Sequence, residues 1–394
     1  MKPLKKEITF IYKDAVEKQV YEMIAEEAEK RGYRTKLTDD PFARCEIGWY
    51  CDHVNFPQFS RFSLIMLHDI VQQYGNWPDL WLRETWRKYD IGFLPSRIWE
   101  DNWNQSSQWY YANPRRGVYL TGWPKADRLA KYRDGSEKER FAAEIGLNPD
   151  WPTVLYAPAW ENDGKQDEFV QAMIPMDVNI LVKQPPWAPH YTEQIEEIRK
   201  MRELHAGNPR VHQLDPKVSI LDAIMVSDIL VSEESSTMSE AVMMGKPAIA
   251  VTDWLIPDEK PSRLPVADPE YTIQTPKAGL AACVREVLDH YEVYQQKAAA
   301  YTDTHFTNLG KCIPMMMDIL DAAVEGKESP HPALKPAKRQ RVPARQLASH
   351  FSFCATREIL FNWCERIPPV RGLYKVYSRI RYGKDAPGIG GIEG

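Results

Sequence analysis

At 394 residues the chain is long enough for two domains with full cores and an appendage. A hydrophobic fraction of 43% with 27% charged residues is that of a soluble globular protein. The net charge of −5 hides an asymmetry: between His331 and Lys384 twelve Lys and Arg stand against two Glu, so the rest is strongly acidic and nucleic-acid binding is not expected.

The N-terminus leads into Ile8–Tyr12, an apolar run of strand size rather than a secretory h-region. No segment approaches the roughly 20 apolar residues of a membrane-spanning helix. Six scattered cysteines, without a C-x-x-C pair or zinc spacing, read as reduced structural thiols of a cytoplasmic protein. An amphipathic helix follows over Ala15–Arg31, then strands at Glu46–Cys51, Ser63–Leu67, Ile91–Pro95 and Gly117–Thr121. Aromatic residues crowd the stretch from Trp77 to Trp123, among them Trp81, Trp86, Trp99, Trp103, Trp109 and Tyr110. They suit an acceptor groove that stacks on sugars or alditols, and core packing equally well.

The second half repeats the style. Strands are expected at Val154–Ala157, Ile180–Lys183, Val211–Leu214, Ile229–Ser232 and Ala248–Val251, with helices over Glu193–Leu204, Ser219–Met225 and Ser236–Met244. Such alternation predicts two Rossmann-like parallel α/β sheets. Ligands in these folds sit beyond the carboxyl ends of the strands, here expected in a cleft between domains. The turn-rich Asn148–Pro152 suggests the join, giving an acceptor domain over 1–150 and a nucleotide-donor domain over 151–325. Residues 326–394 read as a Pro-, Lys- and Arg-rich linker followed by a basic amphipathic helical tail. Its basic charge, interleaved with Phe, Trp, Tyr and Leu, suits an anionic membrane surface at 331–384, on the inner face of the plasma membrane. Packing of the same helices onto the acidic body is the alternative.

The segment from Val226 to Asp253 carries most information: a buried strand, a Ser-Ser turn, a short helix stopped by Gly245 and a further strand. A helix start of this kind offers backbone N–H groups, hydroxyls and a positive dipole end to a phosphate. Ser235, Ser236 and Thr237 are candidates for the donor phosphates, and Glu240, one turn on, for ribose hydroxyls. An ordinary Ser N-cap explains the same local pattern.

Three spaced segments together resemble the CDP-glycerol glycerophosphotransferase family of teichoic-acid and capsule enzymes, of two-domain GT-B architecture. Val154-Leu-Tyr-Ala-Pro-Ala-Trp160 is similar to its Tyr-Ala-Pro-x-Trp strand, Ser227–Glu240 to its nucleotide-binding Ser-Ser motif, and His305–Cys312 to its closing Phe-x-x-x-Gly-Lys segment. Gly122–Asp127 resembles the Gly-x-Pro-Arg-x-Asp turn ending its first domain. The resemblance implies a transferase that moves a polyol-phosphate or sugar unit from a nucleotide-activated donor, a CDP-alditol or sugar nucleotide, to a cell-surface glycopolymer or its lipid-linked acceptor. It makes His68 the general base and Lys183 the cation beside the leaving pyrophosphate. His68 precedes Asp69 where the family has His-Gly, and Pro185 stands where the family's second His follows Lys-Pro, which leaves His190 as its substitute. No tightly bound cofactor is expected, and Mg2+ at most with the donor phosphates. The alternatives are a GT-B glycosyltransferase or sugar-nucleotide-epimerase-like enzyme, and an inactive GT-B-like binding subunit.

Overall fold

The computed structural model describes residues 3–13, 15–51, 55–67, 70, 80–129, 132, 135–161, 163–187, 191–233, 235–254, 270–345, 367–369, 372–373 and 376. The described residues form two compact units, one holding those up to Asp127 and again from Thr307, the other those of Arg128–Phe306.

The first unit opens with β1 (Glu7–Ile11), α1 (Ala15–Lys30), β2 (Arg34–Thr38), β3 (Cys45–Cys51) and β4 (Ser60–Met66). It continues through α2 (Leu80–Arg83), β5 (Ile91–Leu94), α3 (Arg97–Ser106) and β6 (Val118–Leu120). The strands make one parallel sheet in the order β2-β1-β3-β4-β5-β6. Strands covered on both faces read as continuous apolar runs, and Phe62 and Leu64–Leu67 are all buried. Val20, Tyr21, Ile24, Ala25 and Ala28 give α1 its inward face at helical spacing. Edge strand β2 escapes the apolar pattern because only alternate side chains need cover: Arg34-Thr-Lys-Leu-Thr38 has no fully buried residue.

The second unit runs α4 (Gly135–Glu144), β7 (Thr153–Tyr156), α5 (Lys165–Met173), β8 (Asn179–Val182), α6 (Thr192–Leu204) and β9 (Val211–Gln213). It is completed by α7 (Ile220–Val226), β10 (Ile229–Ser232), α8 (Thr237–Met243), β11 (Ala248–Val251), β12 (Thr272–Thr275), α9 (Leu280–Asp289) and α10 (Tyr291–His305). Its parallel sheet has the order β12-β11-β10-β7-β8-β9. The two doubly wound sheets are the predicted fold class.

The joins fall elsewhere than the sequence suggests. Residues 128–150 belong to the second unit because α4 lies against α7, and the Asn179 side chain ties the Asn148–Trp151 turn to the start of β8. At the other end α11 (Cys312–Glu325) returns to the first unit and packs on α1. Met316, Met317 and Leu320 are fully buried there, each contributing about 1.5–3 kcal/mol. Arg31 adds hydrogen bonds to Asp318 and Asp321 at 2.6 and 3.1 Å, and Tyr33 one to Asp321 at 2.7 Å.

The expected linker is docked rather than free over 329–345. Leu334 N donates to Val118 O on edge strand β6, Ala337 N to Ser107 Oγ and Gln340 N to Gln108 O, each at 2.8 Å. Val342 is buried in the core beside Trp81 and Trp86. This strap lies at an edge whose open N–H and C=O groups would otherwise invite pairing with another chain. The expected amphipathic tail helices fall almost wholly outside the described residues. Among those that are described, no helix is long and apolar enough to cross a membrane.

Candidate functional site

In the second sheet the strand order reverses between β10 and β7, so their outgoing loops diverge and open a crevice beyond their carboxyl ends. Two sequence segments meet there. Glu233 directly follows β10, and its Oε1 accepts from the backbone N–H of Ala159 at 2.9 Å and of Trp160 at 3.0 Å in the loop after β7. Ser232 Oγ adds a 2.6 Å bond to Ala157 O. The Tyr-Ala-Pro-Ala-Trp loop is thereby fastened to the turn that carries the Ser-Ser pair.

Behind this clamp lies a buried polar cluster. Glu161 accepts from Gln166 N at 3.2 Å, Gln184 Nε2 donates to Gln166 Oε1 at 2.5 Å, and Lys165 Nζ donates to Trp160 O at 3.4 Å. All four side chains are 0–4% exposed. Burial pushes the Glu161 carboxyl up to about 8, with the Gln166 N–H and Lys165 opposing and Glu233 adding repulsion. Burial likewise raises Glu233 to about 7 against the pull of Lys165 and the two loop N–H groups. Tyr156 beside them is raised well above its ordinary value, by burial first and then by Glu161.

Both carboxyls hold a proton more tightly folded than unfolded. Their contribution to stability is complete below the ordinary value of 4.5 and is lost as pH rises through about 7 to 8. The thermal midpoint of the second unit is therefore expected to fall between pH 5 and pH 9, by the equivalent of a few kcal/mol. Glu161→Gln should flatten most of that slope in calorimetry, and an unchanged slope would contradict the protonated state.

The helix start differs in detail from expectation. Ser236 already has helical backbone angles and makes no side-chain cap, whereas Ser235 Oγ accepts from Thr237 N at 3.3 Å and from Thr237 Oγ1 at 2.9 Å. Ser235, Ser236 and Thr237 are half-buried, and Glu240, 2% exposed, sits one turn along with its N–H on Ser236 O. These four share the carboxyl end of the sheet with Lys183, which follows β8. The Lys183 amine donates to the carbonyls of Gln184 and Pro216 at 2.8 and 2.9 Å, so it ties two turns together. His68, Asp69 and His190 lie outside the described residues. Glu161, Gln166 and Gln184 were not singled out by sequence, since their partners are set by the fold rather than by a motif.

The acceptor-groove reading of the tryptophans does not hold for most of them. Trp81, Trp86, Trp99, Trp103 and Trp123 are all buried, and the first four share one core with Tyr89 and Tyr111. Of the named aromatics only Tyr110 is exposed among the described residues, and Trp77 lies outside them. A different half-exposed group, Trp160, Trp187 and Tyr191, gathers beside β7 and β8 with ring centroids 4.8–5.7 Å apart.

The two remaining motifs join in the first unit. Asp127 accepts from the N–H groups of Cys312 and Ile313 at 2.8 and 2.7 Å, the first turn of α11. Gly122 has φ +91°, and a Cβ there would collide with Thr307 O. Asn308 Nδ2 donates to Leu120 O at 3.0 Å. The Gly-Trp-Pro-Lys-Ala-Asp turn and the Gly-Lys segment are thus two halves of a structural clasp.

A family model described as CDP-glycerol:poly(glycerophosphate) glycerophosphotransferase matches residues 82–307. No curated protein matches the chain. Among solved structures it resembles the wall teichoic acid polymerase TagF, at 15% identity over 82% of this chain and 89% of that one, with a TM-score of 0.57. It also resembles S. aureus MnaA in complex with UDP (12% identity, 84% and 99% covered, TM-score 0.57). The UDP-GlcNAc 2-epimerase from Neisseria meningitidis bound to UDP-GlcNAc is similar as well (13%, 80% and 98%, 0.54). At these identities the structural likeness establishes the fold.

Proposed function

Because the chain belongs to the CDP-glycerol:poly(glycerophosphate) glycerophosphotransferase family, and is a transferase, we propose that it moves a polyol-phosphate unit from CDP-glycerol or a kindred CDP-alditol to a cell-surface glycopolymer or its lipid-linked acceptor. The observation that carries this reading is the Glu233 clamp, which holds the Ser-Ser turn against the Tyr-Ala-Pro-Ala-Trp loop at the sheet's switch point. Ser235, Ser236 and Thr237 donate to the donor's phosphates, and Glu240 accepts from its ribose hydroxyls. An acceptor hydroxyl loses its proton to His68 and attacks the polyol-bearing phosphorus. A phosphoester bond forms, the anhydride P–O bond breaks, and CMP leaves with the bridging oxygen.

Among the described residues, the carboxyls of Glu233 and Glu161 fit a metal ion poorly. Glu233 spends Oε1 on two N–H groups, and burial keeps Glu161 protonated near neutral pH. The basic, aromatic stretch beyond Arg345 is assigned to the anionic inner membrane surface, where a lipid-linked acceptor resides.

Ser236→Ala with Glu240→Ala is expected to weaken CDP binding by roughly 10- to 100-fold per lost charge-assisted bond without unfolding the protein. Thermal shift against CDP, UDP, GDP and CMP reads this out, a ligand at 100 times its Kd stabilising by about 2.7 kcal/mol. Unchanged affinity in the folded double variant would remove the donor site from this helix start. The same panel tests a second reading, a sugar-nucleotide enzyme of GT-B type, favoured by Pro185 at the family's second histidine position and by the engaged Lys183 amine. UDP or GDP stabilising more than CDP would establish that reading instead.

A further inference from the structure

The strap over 329–345 holds Lys335, Lys338, Arg339, Arg341 and Arg345 and no Asp or Glu. All five are exposed, and none has an acidic partner among the described residues. Their positions are set by the backbone: three N–H bonds to the first unit at 2.8 Å, the buried Val342 anchor, and His331 Nε2 at 3.1 Å from Asp318. Pro330, Pro332, Pro336 and Pro343 further restrict the unfolded chain, lowering the entropy cost of docking it.

A run of like charges held in place without counter-ions works against folding, so its arrangement points outward, to a polyanion. The ten residue steps from Lys335 to Arg345 span at most about 33 Å. At one end, Ala333 touches the turn after Arg115 and Arg116, where a Cβ on Gly117 would lie 3.0 Å from that of Ala333. Arg116 lies over the Phe62 ring at 5.2 Å, on the wall of a cavity of about 770 Å3. Further along, Arg339, Gln340, Arg341 and Val342 line a cleft of about 420 Å3 with Tyr110, and Arg87 sits over that ring at 5.3 Å.

We infer that the strap is a docking strip for a linear phosphodiester polymer, the growing product chain. The naming of that polymer rests on the transferase reading above. A lipid surface fits the strip less well, because its apolar residues, Leu334 and Val342, pack against the core. A membrane-seated element needs an outward apolar face. The strip offers cations in file, and successive phosphates of one polymer meet them with release of counter-ions.

The test uses the full chain with Lys335, Lys338, Arg339 and Arg341 all changed to Gln, beside a charge-retaining variant, Lys335→Arg with Arg339→Lys. Binding is measured to poly(glycerophosphate) long enough to span the strip, to a single glycerophosphate unit, to CDP, and to vesicles containing anionic lipid. The expected result is polymer affinity at least about tenfold weaker in the Gln variant, with a salt slope shallower by about 3. CDP affinity and thermal midpoint stay unchanged, and the charge-retaining variant binds as the parent does. Equal polymer affinity in the folded Gln variant overturns the inference, and so does a loss confined to the vesicles. Should CDP-glycerol prove not to be a substrate, the transferase reading fails while polymer binding is still read directly.

Discussion

Replacing His68 with Ala is expected to lower kcat by about 10²–10⁴-fold and to leave the donor KM within a few-fold. The residues before it are fixed: β4 lies between β3 and β5, and Ile65, Met66 and Leu67 are 0–1% exposed. Leu67, directly after that strand, is at the carboxyl end of the sheet, where parallel α/β folds place their chemistry, and His68 is the next residue in the sequence. Deprotonating the acceptor hydroxyl matters only as it attacks, so the loss belongs to turnover rather than to donor affinity. Steady-state rates with saturating donor give the measurement. Activity within a few-fold of the parent would move the base elsewhere, and His190 would be the next residue to change.

The second large effect is structural. Asp127→Ala takes the carboxylate from two N–H groups at the start of α11, and each charge-assisted bond is worth roughly 1.5–3 kcal/mol. A loss of about 3–5 kcal/mol should lower the melting temperature of the first unit by roughly 10 °C. Asp127→Asn keeps a neutral acceptor and should lose about half as much. Calorimetry separates the variants. A drop under about 2 °C for Asp127→Ala would show that α11 is held by its Met316, Met317 and Leu320 packing alone.

Much of the sheet architecture was legible because parallel strands buried on both faces are written as apolar runs, as in Ser63–Leu67 and Ile229–Ser232. The edge strands β2 and β12, Arg34-Thr-Lys-Leu-Thr38 and Thr272-Ile-Gln-Thr275, carry no such run and were missed. Composition marked Asn148–Pro152 as a turn correctly but could not show that Asn179 binds it to its own unit. Tryptophans look alike in sequence whether they fill a core or line a groove, and here most fill a core. The strap reads as linker because backbone-to-backbone contacts leave no mark on residue type. At the candidate site the Ser-Ser turn was visible as a local pattern. The Glu161–Gln166–Gln184 cluster was not, since Gln166 at the start of α5 and Gln184 after β8 meet only once the chain has folded.

The clasp between Gly122–Asp127 and Thr307–Ile313 has a consequence for biosynthesis. The first unit is interrupted by the whole of Arg128–Phe306, and its last core helix is α11. A ribosome adding about 5–20 residues per second needs roughly 10–40 s to cross that insertion. Throughout that interval the nascent first unit presents an uncovered apolar stripe on α1, with Asp127 still awaiting the N–H groups it will cap. The inserted unit has all its own strands in hand earlier, so the segment made first is the one completed last. For that time the newborn chain exposes apolar surface that favours aggregation, and its hazard is set by the order of elements along the gene.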